Sequence, residues 1–133
     1  MIFPYKEVNP SISRPIIPIV VKSDNVFILY DGLIDSGADY SIFSLEIAHR
    51  LGIKLSNKNA THFMGVGKDE VSGYWGNIDI RVAGIIYKTR VIFARISDFG
   101  HGILGQKGFF DQFDVNFSLH KQTIEITPVK ATH

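Results

Sequence analysis

Short runs of β-branched and aromatic residues, each closed by turn-forming residues, recur along almost the whole chain. That spacing favours many short strands over long helices. Residues 19–22 and 26–30 form the first such pair, and Ser23-Asp24-Asn25 between them reads as a hairpin turn. Asp31-Gly32 marks the end of the second run or a bulge in it, and Leu33-Ile34 carries the chain on to Asp35. Further runs follow at 61–66, 73–82, 85–87 and 90–96, and Ala83-Gly84 turns the chain between the second and third of these. Within them, 78–82 alternates cleanly between apolar and polar residues. Residues 97–102 read as a loop before the very short run Ile103-Leu104-Gly105. Val115, Phe117 and Leu119 alternate with polar residues, and a Lys121-Gln122 turn leads to a last strand around Ile124 and Ile126 that Pro128 ends.

Two segments interrupt this pattern. Residues 44–51 are the best helix candidate: Ser44 suits an N-cap, Ile47, Ala48 and Leu51 share one face, and Gly52 suits the stop. Residues 107–112 fit a turn of helix. The expected fold is therefore all-β: a closed or partly open barrel in a single lobe, with one or two short helices. A length of 133 residues fits one domain. With 45% hydrophobic and 20% charged residues the chain is globular rather than disordered.

Charge and cysteine content remove several function classes. Fourteen Lys and Arg against thirteen Asp and Glu give a net charge of +1, which is no electrostatic footprint for nucleic acid or an anionic membrane. There are no cysteines, so disulfides, thiolate metal sites and thiol nucleophiles are excluded. His49, His62, His101, His120 and His133 show no i, i+4 spacing, so no metal site is expected and each reads as a surface or loop residue. Ser41 and Ser44 read as helix caps rather than nucleophiles. The stretch from Gly65 to Asp69 lacks the glycine and hydroxyl positions of a phosphate loop. Phe109, Phe110, Phe113 and Phe117 are read as core or subunit-interface residues. No basic start precedes an apolar leader, and the apolar stretch from Ile16 to Val21 is far short of the ~20 residues that span a bilayer. A soluble, cytoplasmic protein or a fragment of a longer chain is expected.

The segment that carries chemistry is Leu33-Ile34-Asp35-Ser36-Gly37-Ala38. It sets a carboxylate at the mouth of an apolar strand, followed by a hydroxyl and a glycine able to turn tightly. Burying an unpaired carboxylate is costly, and backbone N–H groups of a glycine turn are natural partners for it. Far downstream, Ile103, Leu104 and Gly105 fit a buried strand packed against that turn. The bland reading of Asp35 is a turn residue capping its own loop, and that of Asp39 is a solvated acid.

These two motifs in this order resemble the retropepsin-like aspartic proteases, more the non-viral members than the retroviral ones. The resemblance runs over roughly residues 17–127. It implies three parts: 1–16 as an N-terminal arm, 17–128 as the protease domain and 129–133 as a tail. It also implies a peptide or protein substrate, no cofactor or metal, and a homodimer, because the chemistry takes two carboxylates and this chain has one Asp-Ser-Gly. By the same resemblance Asp35 is catalytic and Ser36 and Gly37 support it. Ala38, Asp39, Gly65, Val66 and Gly67 contact substrate, the last three in a flap hairpin within 65–74, with Trp75 at its base. Two departures stand out: Gln106 occupies the place of a retroviral arginine that braces the dimer, and Lys68-Asp69-Glu70 intrudes on the flap. They leave an alternative, a catalytically silent protease-like fold that binds peptides or assembles complexes. A small β-barrel ligand binder is a weaker third reading.

Overall fold

The computed structural model describes residues 1–64, 70–96 and 100–129. Twelve strands carry the described chain: β1 (Ile2–Pro4), β2 (Lys6–Asn9), β3 (Ile12–Arg14), β4 (Ile16–Ser23), β5 (Val26–Ile34), β6 (Ile42–Ser44), β7 (Ala60–Met64), β8 (Glu70–Val82), β9 (Ile85–Ala94), β10 (Gly102–Leu104), β11 (Phe113–Ser118) and β12 (Thr123–Pro128). Seven form one sheet in the order β4-β5-β10-β6-β9-β8-β7. A further pairing of β4 with β8 closes six of them into a barrel and leaves β7 outside, attached to β8 alone. A second sheet, β1-β12-β11, ties residues 2–4 to the far end of the chain. Strands β2 and β3 form a separate exposed hairpin.

Local chemistry explains the connections. The turn between β8 and β9 places Ala83 at φ 52° and Gly84 at φ 77°, the left-handed pair that matches the twist of a two-residue hairpin. The helix α1 (Leu45–Leu51) begins where the Ser44 hydroxyl accepts the Glu46 N–H, and it stops at Gly52, whose φ of 74° suits a residue without a Cβ. Its buried face is Ile47, Ala48 and Leu51. Inside the barrel Ile17, Ile19, Val21, Ile80, Phe43 and Phe93 are almost fully excluded from water. Edge-to-face contacts join Tyr30 to Phe43 and Phe43 to Phe93. Below them Phe109 and Phe113 stack with ring centres 5.1 Å apart.

Four readings change. Residues 85–94 are one unbroken strand, because Lys88 and Thr89 do not interrupt the ladder and Lys88 pairs with Asp79 across it at 3.4 Å. Residues 107–112 form a series of turns, not a helix. Gly108 sits at φ 100°, and Phe110 and Asp111 donate five residues back to Gly105 and Gln106. Phe117 and Leu119 are exposed, at 40% and 66%: Phe113 and Val115 on the same face of β11 pack on the core, and its cover ends before Phe117. His101 is buried at 8%, not a surface residue; its Nδ1 lies 2.9 Å from the Gly102 carbonyl, which can only accept, so that nitrogen carries a proton. Among the described residues, no helix is long and apolar enough to cross a membrane.

Two phenols link the barrel to its surroundings. The Tyr87 hydroxyl donates to the Gly108 carbonyl at 2.7 Å, and the Tyr30 hydroxyl accepts the Ser44 N–H at 3.3 Å. Burial pushes both phenols above their ordinary pKa, helped by Asp111 for Tyr87 and, more weakly, by Glu46 for Tyr30. Unfolded phenols titrate near 10, so the stability these groups contribute is complete below about pH 10 and falls as pH rises beyond it. Urea midpoints measured at pH 9 and pH 11 should show a clear drop, and Tyr87→Phe should shrink the drop.

Candidate active site

Strand β5 delivers Asp35 to the end of the barrel, and β10 runs parallel beside it, with Leu33 opposite Ile103 and Ile34 opposite Leu104. The two loops that continue from these strands are joined almost residue by residue. Asp35 N–H donates to the Leu104 carbonyl at 2.9 Å, Gln106 N–H to Ala38 at 2.8 Å, and Lys107 N–H to Asp39 at 3.0 Å. From the other side, Ile34 N–H donates to the Pro15 carbonyl at 2.9 Å. These bonds leave the Asp35 carboxylate to a donor within its own turn.

The carboxylate itself meets one backbone donor: Gly37 N–H reaches Oδ1 at 2.9 Å. The same turn is closed by Ala38 N–H, which donates to the Asp35 carbonyl at 3.2 Å. Asp35 and Ala38 are half-buried, whereas Ser36, Gly37 and Asp39 are exposed. A half-buried aspartate with one oxygen held by an N–H and the other without a hydrogen bond among the described residues suits polarising or deprotonating a water. Leu104 and Gly105 are buried. A Cβ at Gly105 would sit 2.7 Å from the Ala38 carbonyl oxygen and closer still to that of Tyr40, so only glycine lets the loops approach this closely. Gly65, Val66 and Gly67 lie outside the described residues.

Several residues that shape the site carry no motif. Ser41 is fully buried; its hydroxyl donates to the Lys107 carbonyl at 3.0 Å and accepts the Gly105 N–H at 3.1 Å. It is a bracket between the loops and not a helix cap, whereas Ser44 is the cap. Gln106 donates its side-chain Nε2 to the Ser36 carbonyl at 2.6 Å. Beside the turn, a second apolar cluster forms around Ile42, Ile92 and Ala94, with Phe63, Trp75 and Ile103 packed against it. Trp75 stands edge-on to Tyr40 at 5.2 Å and lies under the Arg90 guanidinium at 4.0 Å. Only the apolar run at 91–94 hints at this cluster in the sequence; the contacts themselves join distant segments. Among the described residues, no three acidic or histidine side chains are placed to hold a metal.

A family profile described as aspartyl protease matches residues 21–107, which span both loops. A search of curated protein sequences finds no match. Solved structures that superpose on the chain include the EIAV protease in complex with an inhibitor, at 27% identity and a TM-score of 0.56, covering 70% of this chain and 82% of that one. The retroviral protease-like domain of Ddi1 from Leishmania major superposes at 16% identity and a TM-score of 0.61, covering 87% of this chain and 90% of its own. A retropepsin-like aspartic protease from Rickettsia conorii gives 17% identity and a TM-score of 0.65, covering 95% of this chain and 88% of that one. At such identities the last two are likenesses of fold.

Removing the Ser41 hydroxyl strands a buried donor and leaves a carbonyl short of one partner. Ser41→Ala should therefore lower unfolding stability by about 2–3 kcal/mol, against about 1 kcal/mol for Ser44→Ala at the helix cap. Urea denaturation of the two variants side by side measures the difference.

Proposed function

The chain belongs to the aspartyl protease family, and from that premise we propose that it is a peptidase whose active unit is a homodimer, with one Asp35 from each copy. The observation that carries this reading is the presentation of Asp35. Its turn is braced on both sides through the backbone while one carboxylate oxygen has no hydrogen-bond partner among the described residues. Two such carboxylates facing one another cannot both ionise, so they share a proton. The ionised one takes a proton from a water lying between them, and the protonated one donates to the substrate carbonyl as the water attacks. Collapse of the tetrahedral intermediate then breaks the peptide bond, and the leaving nitrogen collects a proton from the pair.

The remaining site residues take supporting roles in this reading. Gly37 N–H fixes the orientation of the carboxylate. The exposed Ser36 hydroxyl is free to bond across a two-fold axis, and Gln106 fixes the Ser36 carbonyl within its own chain. Ala38 and Asp39 contact the backbone of the substrate, and residues 65–67 close over it. Trp75 and Ile103, partly buried members of the second apolar cluster, supply a surface for an apolar substrate side chain. Gln106 also favours one competing reading, a silent peptide-binding fold, because a neutral amide stands where an ion pair braces the retroviral dimer.

Cleavage of a mixed peptide pool between about pH 3 and 7 should follow a bell-shaped profile and be blocked by a pepstatin-type inhibitor. Asp35→Asn should lose about 10²–10⁴-fold or more of the rate. Equal cleavage by wild type and variant sinks the protease reading, and a strict monomer by light scattering together with no turnover favours the silent fold.

A further inference from the structure

Away from the Asp35 turn, the chain's even balance of charge breaks down on one face of β8 and β9. The pairing register arranges the side chains of this face in rows: Trp75 beside Ile92, which the apolar cluster covers, then Asn77 beside Arg90, Asp79 beside Lys88, and Arg81 beside Ile86. Strand β4 extends two rows, with Lys22 beside Asp79 and Val20 beside Arg81. Along this face the chemistry changes in order. Ile92 and Trp75 belong to the apolar cluster next to the Asp35 turn. Beyond them stand Arg90, Lys88, Lys22 and Arg81, with Asp79 as the one acid of these rows.

The segment ahead of β7 adds two more cations at the same place. Lys54 and Lys58, with Trp75, Asn77 and Arg90, wall a cleft of about 470 Å³. Among the described residues its walls hold three cations and no acid. None of Lys54, Lys58 and Arg90 has an ion-pair partner among the described residues, whereas Lys88 has Asp79. Like charges gathered without a counter-charge repel one another, a standing cost that an anionic partner removes. Arg90 is also preorganised to receive such a partner. Its Cζ lies 4.0 Å from the centre of the Trp75 ring, a cation–π contact that restrains the side chain while its N–H groups have no carboxylate partner among the described residues.

We propose that this face is a docking site for an acidic stretch of the polypeptide substrate, with Glu or Asp side chains flanking the bond presented to Asp35 seated on Lys54, Lys58 and Arg90. The inference rests on the protease reading and deepens it by naming a substrate class. Continuity favours a peptide, because the face that begins at the apolar cluster passes Trp75 and reaches Arg90 without leaving the β8–β9 ladder, and Lys54 and Lys58 wall the same cleft as Arg90. Spread favours it too, since the cations are distributed over separate strands and a loop, with Asn77 between them, which suits spaced carboxylates better than one compact anion. A net charge of +1 gives nucleic acid no long-range attraction to the rest of the surface.

The test uses a cleavable core peptide extended, on each side in turn, by about four Glu or by the same number of Gln. The Glu-extended peptide should show a KM about three- to ten-fold below its Gln twin, with kcat unchanged, as expected for a few exposed charge pairs. That advantage should vanish in about 0.5 M NaCl and in a Lys54→Glu/Lys58→Glu double variant that cleaves the bare core peptide like wild type. Equal KM values for the twins, with cleavage still dependent on Asp35, overturn the docking site and leave the protease reading standing. A second arm needs no turnover: a labelled Glu-rich peptide should bind the Asp35→Asn chain by fluorescence anisotropy and bind the same chain more weakly with both lysines reversed. If that binding holds while no peptide is cleaved, the protease reading falls and the face remains an acidic-peptide site. Absent binding, full displacement by equimolar inorganic phosphate, or tighter binding of an oligonucleotide of equal charge overturns it.

Discussion

A carboxylate on a surface turn keeps its place only if the backbone that carries it is held. In this chain that demand is met by the zipper between residues 35–41 and 104–107. Backbone bonds from Asp35, Gln106 and Lys107 cross it, and the Ser41 hydroxyl bridges it from within. The barrel serves this junction. Its two parallel pairs, β5 with β10 and β6 with β9, lie among antiparallel neighbours. Together they bring three chain segments, from different parts of the sequence, to one end of the sheet. Gly105 sets the closeness of the junction, since any side chain there collides with the Ala38 and Tyr40 carbonyls.

The sequence makes the local parts of this arrangement readable and hides the distant ones. Ser44 and Gly52 bound α1 because capping depends on neighbours two to four residues away. Ala83-Gly84 shows its turn for the same reason. Asp35-Ser36-Gly37-Ala38 is legible as a contiguous motif, and Ile103-Leu104-Gly105 gains meaning beside it. Ser41 is different: its partners lie more than sixty positions along the chain, and nothing beside it separates a bracket from a cap. His101 misleads because a loop-like glycine setting conceals its burial at 8%. Phe117 misleads in the opposite sense, because alternation fixes which residues share a face but not whether anything covers it. The unbroken β9 is obscured by Lys88, whose charge reads as a break until Asp79 is seen opposite.

Gln106 shows how one position can keep a structural duty while changing its electrostatics. A guanidinium there would bring a full charge and several donors to the Asp turn. The amide brings a neutral donor, which it commits to the Ser36 carbonyl at 2.6 Å. The turn is held, and no charge is buried beside the carboxylate. Surplus positive charge sits instead on the outer face of β8 and β9.

The sheet that joins β1 to β12 has a consequence in time as well as space. Ile2 pairs with Glu125, and the Met1 ammonium donates to the Ile126 carbonyl at 2.9 Å. Contacts so far apart in sequence close late, because the intervening chain has to be ordered before they repay its lost freedom. Strand β1 therefore waits longer for its partner than a hairpin strand such as β8 or β9. Until residues 123–128 are in place, β1 is an unpaired edge carrying the exposed side chain of Ile2, while the barrel closes through its own pairing of β4 with β8.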